Sequence, residues 1–268
     1  MEDPRFTAPS LAGASRGTPP ENEAAVASFG GKGRRRIIIL TRVPQIVTFY
    51  KFKESCLNLG VALTVIIDYQ AGNLTSVLRS VHALGAAGTV TQDPTVVSRA
   101  ARIIFPGVGA AGKAMATLRD LGLDGALGEA FHRGVPILGI CLGAQVILDF
   151  SEENDTPCLG LLPGRTRALP RLAGLKIPHM GWNSVRFIRE HPVFRGVPPA
   201  AEYYFVHSYY PAPAEARMLL GLTEHGVEFS SAIGWRNLVA TQFHPEKSGR
   251  FGLQILENFL AWDGTGVE

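Results

Sequence analysis

The pattern of apolar and polar positions changes character near residue 62. Up to residue 33 the chain is rich in Gly, Ala, Ser and Pro without an apolar period, which predicts disorder. Arg34-Arg35-Arg36 then precedes Ile37-Ile38-Ile39-Leu40, but Arg42 and Pro44 break that run too early for a signal or membrane segment. Residues 1–60 therefore read as an N-terminal extension outside the fold, as an upstream start codon would produce, and 61–268 as one domain. Leu63-Thr64-Val65-Ile66-Ile67 reads as a buried strand ending at Asp68. Asn73 caps a predicted helix whose apolar positions Leu74, Val77, Leu78, Val81 and Leu84 keep helical spacing. Val90 lies in a short strand, and Arg102-Ile103-Ile104-Phe105 is another buried strand that runs into the turn Pro106-Gly107-Val108-Gly109-Ala110. Helices through residues 114–118 and 123–131 lead to the apolar run 135–140, after which 144–148 opens a further helix. This alternation predicts an α/β fold with a mostly parallel sheet flanked by helices. Residues 203–206, 229–233 and 238–243 are strand-like and joined by short turns, so an antiparallel extension is expected, then a last helix over about 252–262.

Composition narrows the classes. With 268 residues, 46% hydrophobic and 18% charged, the chain can bury a substantial core. No apolar run is long enough to span a bilayer, so no membrane role is expected. Cys56, Cys141 and Cys158 form an odd set without a CxxC pair, which argues against a disulfide framework or zinc site and for a reducing, cytoplasmic setting. The net charge of +3 comes from the extension, where nine Lys/Arg face five Asp/Glu. The remainder is nearly neutral, so it is not read as a nucleic-acid binder.

Against this background, Gly139-Ile140-Cys141-Leu142-Gly143 places a thiol at a tight strand-to-helix turn with glycine on either side. Unpaired N–H groups and the positive dipole end of the helix favour a thiolate there. A buried structural cysteine is the plainer alternative, and the elbow context favours the nucleophile. Attack on an amide or ester carbonyl creates an oxyanion. The N–H of Leu142 and an N–H in the Gly107-Val108 turn would hold it; the alternative for that turn is a mere βα connection. His244 and Glu246 follow a predicted strand. Residues two apart in extended backbone point the same way, so Glu246 is expected to hold one ring nitrogen while the other faces Cys141.

Gly139 through Gln145 with His244-Pro245-Glu246 resembles the class I (triad) glutamine amidotransferases. Within that family the likeness is to glutaminase subunits of imidazole glycerol phosphate synthase, in histidine biosynthesis. It is carried further by residues 67–74, Pro106-Gly107-Val108-Gly109-Ala110, the segment from Lys176 to Asn183, and Phe205-Val206-His207-Ser208-Tyr209-Tyr210. The likeness covers about residues 62–262. It implies that Cys141 is the nucleophile, His244 the acid/base and Glu246 its orienter. Gln145 would help hold glutamine, and Leu142 with the Gly107-Val108 peptide would form the oxyanion site. His179 and Trp182 would lie at the surface facing a TIM-barrel cyclase subunit, in a heterodimer, although core packing is the plainer alternative for both. His207 and the adjoining tyrosines read as scaffold. No cofactor or metal is implied. Where the family usually carries Gly-Met, this chain has Gln70-Ala71, so Gln70 would be strained if a positive φ is needed there. Three other readings stay open: an amidotransferase subunit for another synthase such as sugar amidation, a free-standing cysteine hydrolase, and a non-catalytic module.

Overall fold

The computed structural model describes residues 63–72, 74–199 and 201–265, together with Val26–Ala27 (β1) and Ile38–Ile39 (β2), which pair antiparallel. The rest of the N-terminal extension and the Asn73 cap lie outside the described residues. From there strands and helices alternate: β3 (Thr64–Ile67), α1 (Leu74–Ala83), β4 (Gly88–Thr91), α2 (Pro94–Val97) and β5 (Arg102–Gly107). Next come α3 (Ala111–Asp120), α4 (Leu123–His132), β6 (Ile137–Cys141) and α5 (Leu142–Val146). The second half is rich in strands. It holds β7 (Phe150–Ser151), β8 (Thr156–Pro157), β9 (Gly164–Ala168), β10 (His179–Ser184) and β11 (Arg186–Phe187). β12 (Glu202–His207), β13 (Tyr209–Pro213), β14 (Leu219–Glu224), β15 (Glu228–Trp235) and β16 (Leu238–Thr241) precede α6 (Gly249–Ala261).

Eight strands form one sheet in the order β11-β14-β15-β16-β6-β5-β3-β4. β4, β3, β5, β6 and β16 run parallel, and β15, β14 and β11 add an antiparallel edge. Alternate residues of the parallel strands feed two cores. Val65, Ile67, Ile103, Phe105 and Ile137 pack with Met115, Leu118, Leu127 and Phe131 of α3 and α4. Ile66, Ile104, Leu138 and Ile140 pack with Val77 and Val81 of α1 and with Ile255, Leu256 and Phe259 of α6. Coverage on both faces explains why these strands read as unbroken apolar runs. Each such side chain, fully buried, contributes about 1.5–3 kcal/mol. Among the described residues no helix is long and apolar enough to cross a membrane.

Three details differ from the sequence reading. Segment 238–243 was expected in the antiparallel extension, yet β16 pairs antiparallel only with β15 and runs parallel to β6. Segment 203–206 lies in β12, which forms a separate two-stranded ribbon with β10. Finally, α5 stops at Val146 rather than running to residue 148. The carbonyls of Val146, Ile147 and Leu148 are taken by the N–H groups of Leu159, Leu161 and Gly160, which ends the helix after little more than one turn.

Candidate active site

Register brings three neighbouring parallel strands to a common end. Gly107 pairs with Cys141, and Thr241 with Ile140, so the C-terminal ends of β5, β6 and β16 lie side by side. In open α/β sheets that is where ligands bind. Cys141 ends β6 with φ 55° and ψ −107°, a conformation that costs a non-glycine residue about 1–3 kcal/mol. The elbow closes only because position 143 is glycine: a Cβ there would overlap the Phe105 carbonyl oxygen.

His244 follows β16 directly. Its Nδ1 lies 2.8 Å from Glu246 Oε1, and both side chains are only 3% exposed. The two meet for a different reason than extended backbone, because Pro245–Lys247 is a 3-10 turn that folds Glu246 back. Burial alone would lower the imidazole pKa; Cys141 and the Glu246 carboxylate outweigh it and push it up to about 9. Nε2 is buried with no hydrogen bond of ordinary geometry, yet Cys141 is close enough to act on the ring. Such contacts commonly tighten when substrate arrives.

Gln242 was not foreseen and touches Cys141: its Nε2 lies 3.6 Å from the sulfur. Its position just past β16 and two residues before His244 was the available signal. Gln145 donates one amide hydrogen to the Tyr209 carbonyl at 2.8 Å and the other to Gln242 Oε1 at 2.9 Å. Only its carbonyl oxygen is therefore left for a ligand.

A cavity of about 290 Å³ opens at Cys141, lined among others by Val108, Gly109, Leu142, Gln145 and Glu153. Gly107 does not line it, being held in β5 opposite Cys141, so only its peptide link to Val108 reaches the cavity edge. Glu153 also escaped the sequence reading, since it stands in an isolated 3-10 turn (Glu153–Asp155) without periodicity. Its Oε2 accepts the Ala111 N–H at 2.7 Å, leaving Oε1 for a cation.

The ribbon supplies Val206 and His207 to the same cavity, and Pro178, just before β10, adjoins them. His207, read as scaffold, is thus part of the wall. Burial, only partly offset by the Tyr209 carbonyl, pushes it down to about 3, so it is neutral at neutral pH. His179 was expected at the surface and is only 4% exposed. Side chains alternate along β10, so His179 and Asn183 turn inward while Met180 and Trp182 remain 63% and 55% exposed. Among the described residues no cluster of His, Cys, Asp and Glu is arranged to hold a metal ion.

A thiol beside a carboxylate-oriented imidazole, at an elbow with free N–H groups, is equipped for acyl transfer. The family model described as Glutamine amidotransferase class-I matches residues 65–262. The chain belongs to the class I glutamine amidotransferase family. This amidotransferase is 46% identical over 199 residues to the imidazole glycerol phosphate synthase subunit HisH of Dehalococcoides mccartyi (strain CBDB1), covering 74% of this chain and 96% of the relative. It is 51% identical over 195 residues to the subunit of the same name from Moorella thermoacetica, covering 72% and 92%. Two solved structures share the fold. One is a glutamine amidotransferase at 16% identity and TM-score 0.60, covering 75% of this chain and 99% of that chain. The other is PurLQS from Thermotoga maritima, at 15% and 0.59, covering 75% and 98%.

Proposed function

We propose that this chain is the glutaminase subunit of imidazole glycerol phosphate synthase in histidine biosynthesis, hydrolysing glutamine and passing ammonia to a cyclase subunit. The observation that carries the chemistry is the cavity at Cys141 with His244 and Glu246 aligned behind it. The likeness to HisH subunits over nearly their whole length carries the pathway.

In this reading the Cys141 thiolate attacks the side-chain amide carbon of glutamine. The N–H of Leu142 and the peptide between Gly107 and Val108 hold the oxyanion. Protonated His244 gives its proton to the leaving nitrogen, the C–N bond breaks, and ammonia departs from a glutamyl thioester. His244 then takes a proton from water, which cleaves the thioester to glutamate and regenerates the thiol. Glu246 fixes the imidazole throughout. Glu153 meets the α-ammonium of glutamine, and Gln145 offers its carbonyl oxygen to an N–H of the same ligand. Gln242 steadies the sulfur. Ammonia released into bulk water is protonated and useless as a nucleophile, so the cyclase must dock over the site. The exposed Met180 and Trp182 on β10 suit that contact, because their strand partner β12 lines the cavity. We place the complex in the cytoplasm, where Cys141 and Cys158 stay reduced.

The test is glutamate release by the purified chain, with and without the cyclase and its nucleotide substrate. Stimulation by the cyclase and complete loss in Cys141→Ala are expected. High partner-independent turnover would favour a free-standing hydrolase instead.

A further inference from the structure

The inner face of the β10–β12 ribbon holds a chain of hydrogen bonds that the catalytic steps do not use. Its direction is fixed at one end. His207 Nδ1 lies 2.9 Å from the Tyr209 carbonyl oxygen, which can only accept, so that nitrogen carries the proton. Nε2 of a neutral His207 is then an acceptor, and it lies 2.9 Å from His179 Nδ1. His179 must therefore be protonated on Nδ1 and bare on Nε2. The side-chain amide of Asn183 donates to that Nε2 at 3.2 Å. Asn183, His179 and His207 thus donate in one sense, toward Tyr209.

Both rings must stay neutral for this order to hold. Burial pulls His179 down to about 4, aided by His225, which stacks on it with 4.1 Å between ring centroids. Burial likewise holds His207 near 3. The receiving carbonyl is shared: Tyr209 also accepts from Gln145 at 2.8 Å, and Gln145 donates to Gln242, which reaches the Cys141 sulfur. At the far end, Asn183 stands on β10 between the exposed Trp182 and Ser184. Among the described residues β12 is the only strand paired with β10; on its other side Asn183 Nδ2 also donates to the Glu224 carbonyl at 2.9 Å and Thr223 Oγ1 donates to the Ser184 carbonyl at 3.0 Å, which ties this end of the ribbon to β14. A body seated on Met180 and Trp182 presses on the strand that carries both Asn183 and His179.

We propose that Asn183, His179 and His207 are positioning residues that carry the seating of a partner on the Met180–Trp182 face to the Tyr209 carbonyl, and through Gln145 to the glutamine cavity. This rests on the function proposed above. What couples the two places is the ribbon itself, shifted as a unit, with the relay translating its shift into the placement of one carbonyl.

The test uses the full chain and the purified cyclase. His179→Phe keeps an aromatic ring between Phe205 and His225 but neither donates nor accepts. Its turnover without the partner and its affinity for the cyclase should match wild type. Its partner-stimulated kcat/KM should fall about tenfold or more, chiefly through KM for glutamine. His179→Gln, whose amide both donates and accepts, should recover most of the stimulation. Asn183→Ala, which also gives up the bond to the Glu224 carbonyl at that end, should lose part of it. The relay is overturned if both His179→Phe and Asn183→Ala keep stimulation within about twofold of wild type. It is also overturned if basal and stimulated turnover fall by the same factor, or if His179→Gln is no better than His179→Phe. A wild-type chain indifferent to the cyclase would instead overturn the proposed function, and the relay with it.

Discussion

The cavity has two unlike walls. One is the carboxyl end of the central sheet, where β5, β6 and β16 are each paired on both sides and covered on both faces. The other is the β10–β12 ribbon, two strands wide, whose outer face bears exposed Met180 and Trp182. Strain is distributed accordingly. Cys141 holds positive φ at the end of β6 and Gln70 does so three residues past β3, whereas in the ribbon strands only Gly181, which tolerates it, has φ above zero. A strained backbone persists only where its surroundings over-determine it. An element that must respond to a partner needs the opposite, a local structure that opens at low cost. The sheet end therefore suits the chemistry and the ribbon its control.

The largest effect should come from the sheet end. Glu246→Gln keeps the size of the side chain but cannot hold His244 as an anion does. Glutaminase kcat in the saturated complex is expected to fall about 10²–10⁴-fold, with KM for glutamine little changed. Steady-state kinetics would show this, and a loss confined to KM would assign Glu246 to binding instead. On the ribbon side, Trp182→Ala removes a large exposed ring that pairs with Tyr204. Cyclase affinity is expected to weaken by about 2–4 kcal/mol in a calorimetric titration, while kcat at saturating partner stays near wild type. Equal damage to kcat would erase the proposed division between the walls.

The sheet wall was the more legible one. Cys141 announced itself because a buried strand is continuous and apolar, and because the crowding at Gly143 leaves no other residue possible. His244 and Glu246 are two residues apart, so almost any compact local geometry joins them, which is why the pair was found although the turn was misjudged. The ribbon was less legible. Its register sets His179 opposite His207, and no local pattern announces a pairing so distant in sequence. Without that register the alternation along β10 has no inside, and His179 could not be told from Trp182. Glu153 and Gln242 stayed hidden for the related reason that their partners, Ala111 and Cys141, come from distant segments.

A titration sharpens the role of the sheet end. The folded-state pKa of His244, about 9, lies above its ordinary 6.5. The stability it contributes is therefore complete below about 6.5 and is lost as pH rises through 9. In Cys141→Ala the sulfur no longer favours the imidazolium, while burial still opposes it. His244 should then titrate at lower pH by NMR, and the alkaline loss of thermal stability should begin earlier. Identical titration in the two proteins would mean that Glu246 alone sets the imidazole.

The smallest effect separates functional strain from incidental strain. Gln70 has φ 63°, as expected where the family usually carries glycine, and its N–H is held by Asp68 Oδ1 at 2.9 Å. Left-handed backbone costs a residue with a Cβ about 1–2 kcal/mol. Gln70→Gly removes that cost but frees the unfolded chain by about 0.4–1 kcal/mol, so a net gain near 1 kcal/mol or less is expected in chemical denaturation. Gln70→Val, β-branched at the same φ, should lose about 1–3 kcal/mol. Neither change touches the cavity lining, so glutamine KM should hold in both. Relief of strain at Cys141, by contrast, would have to move the sulfur. If Gln70→Gly gained stability and also lost turnover, the strain at the two positions would be one coupled feature rather than two.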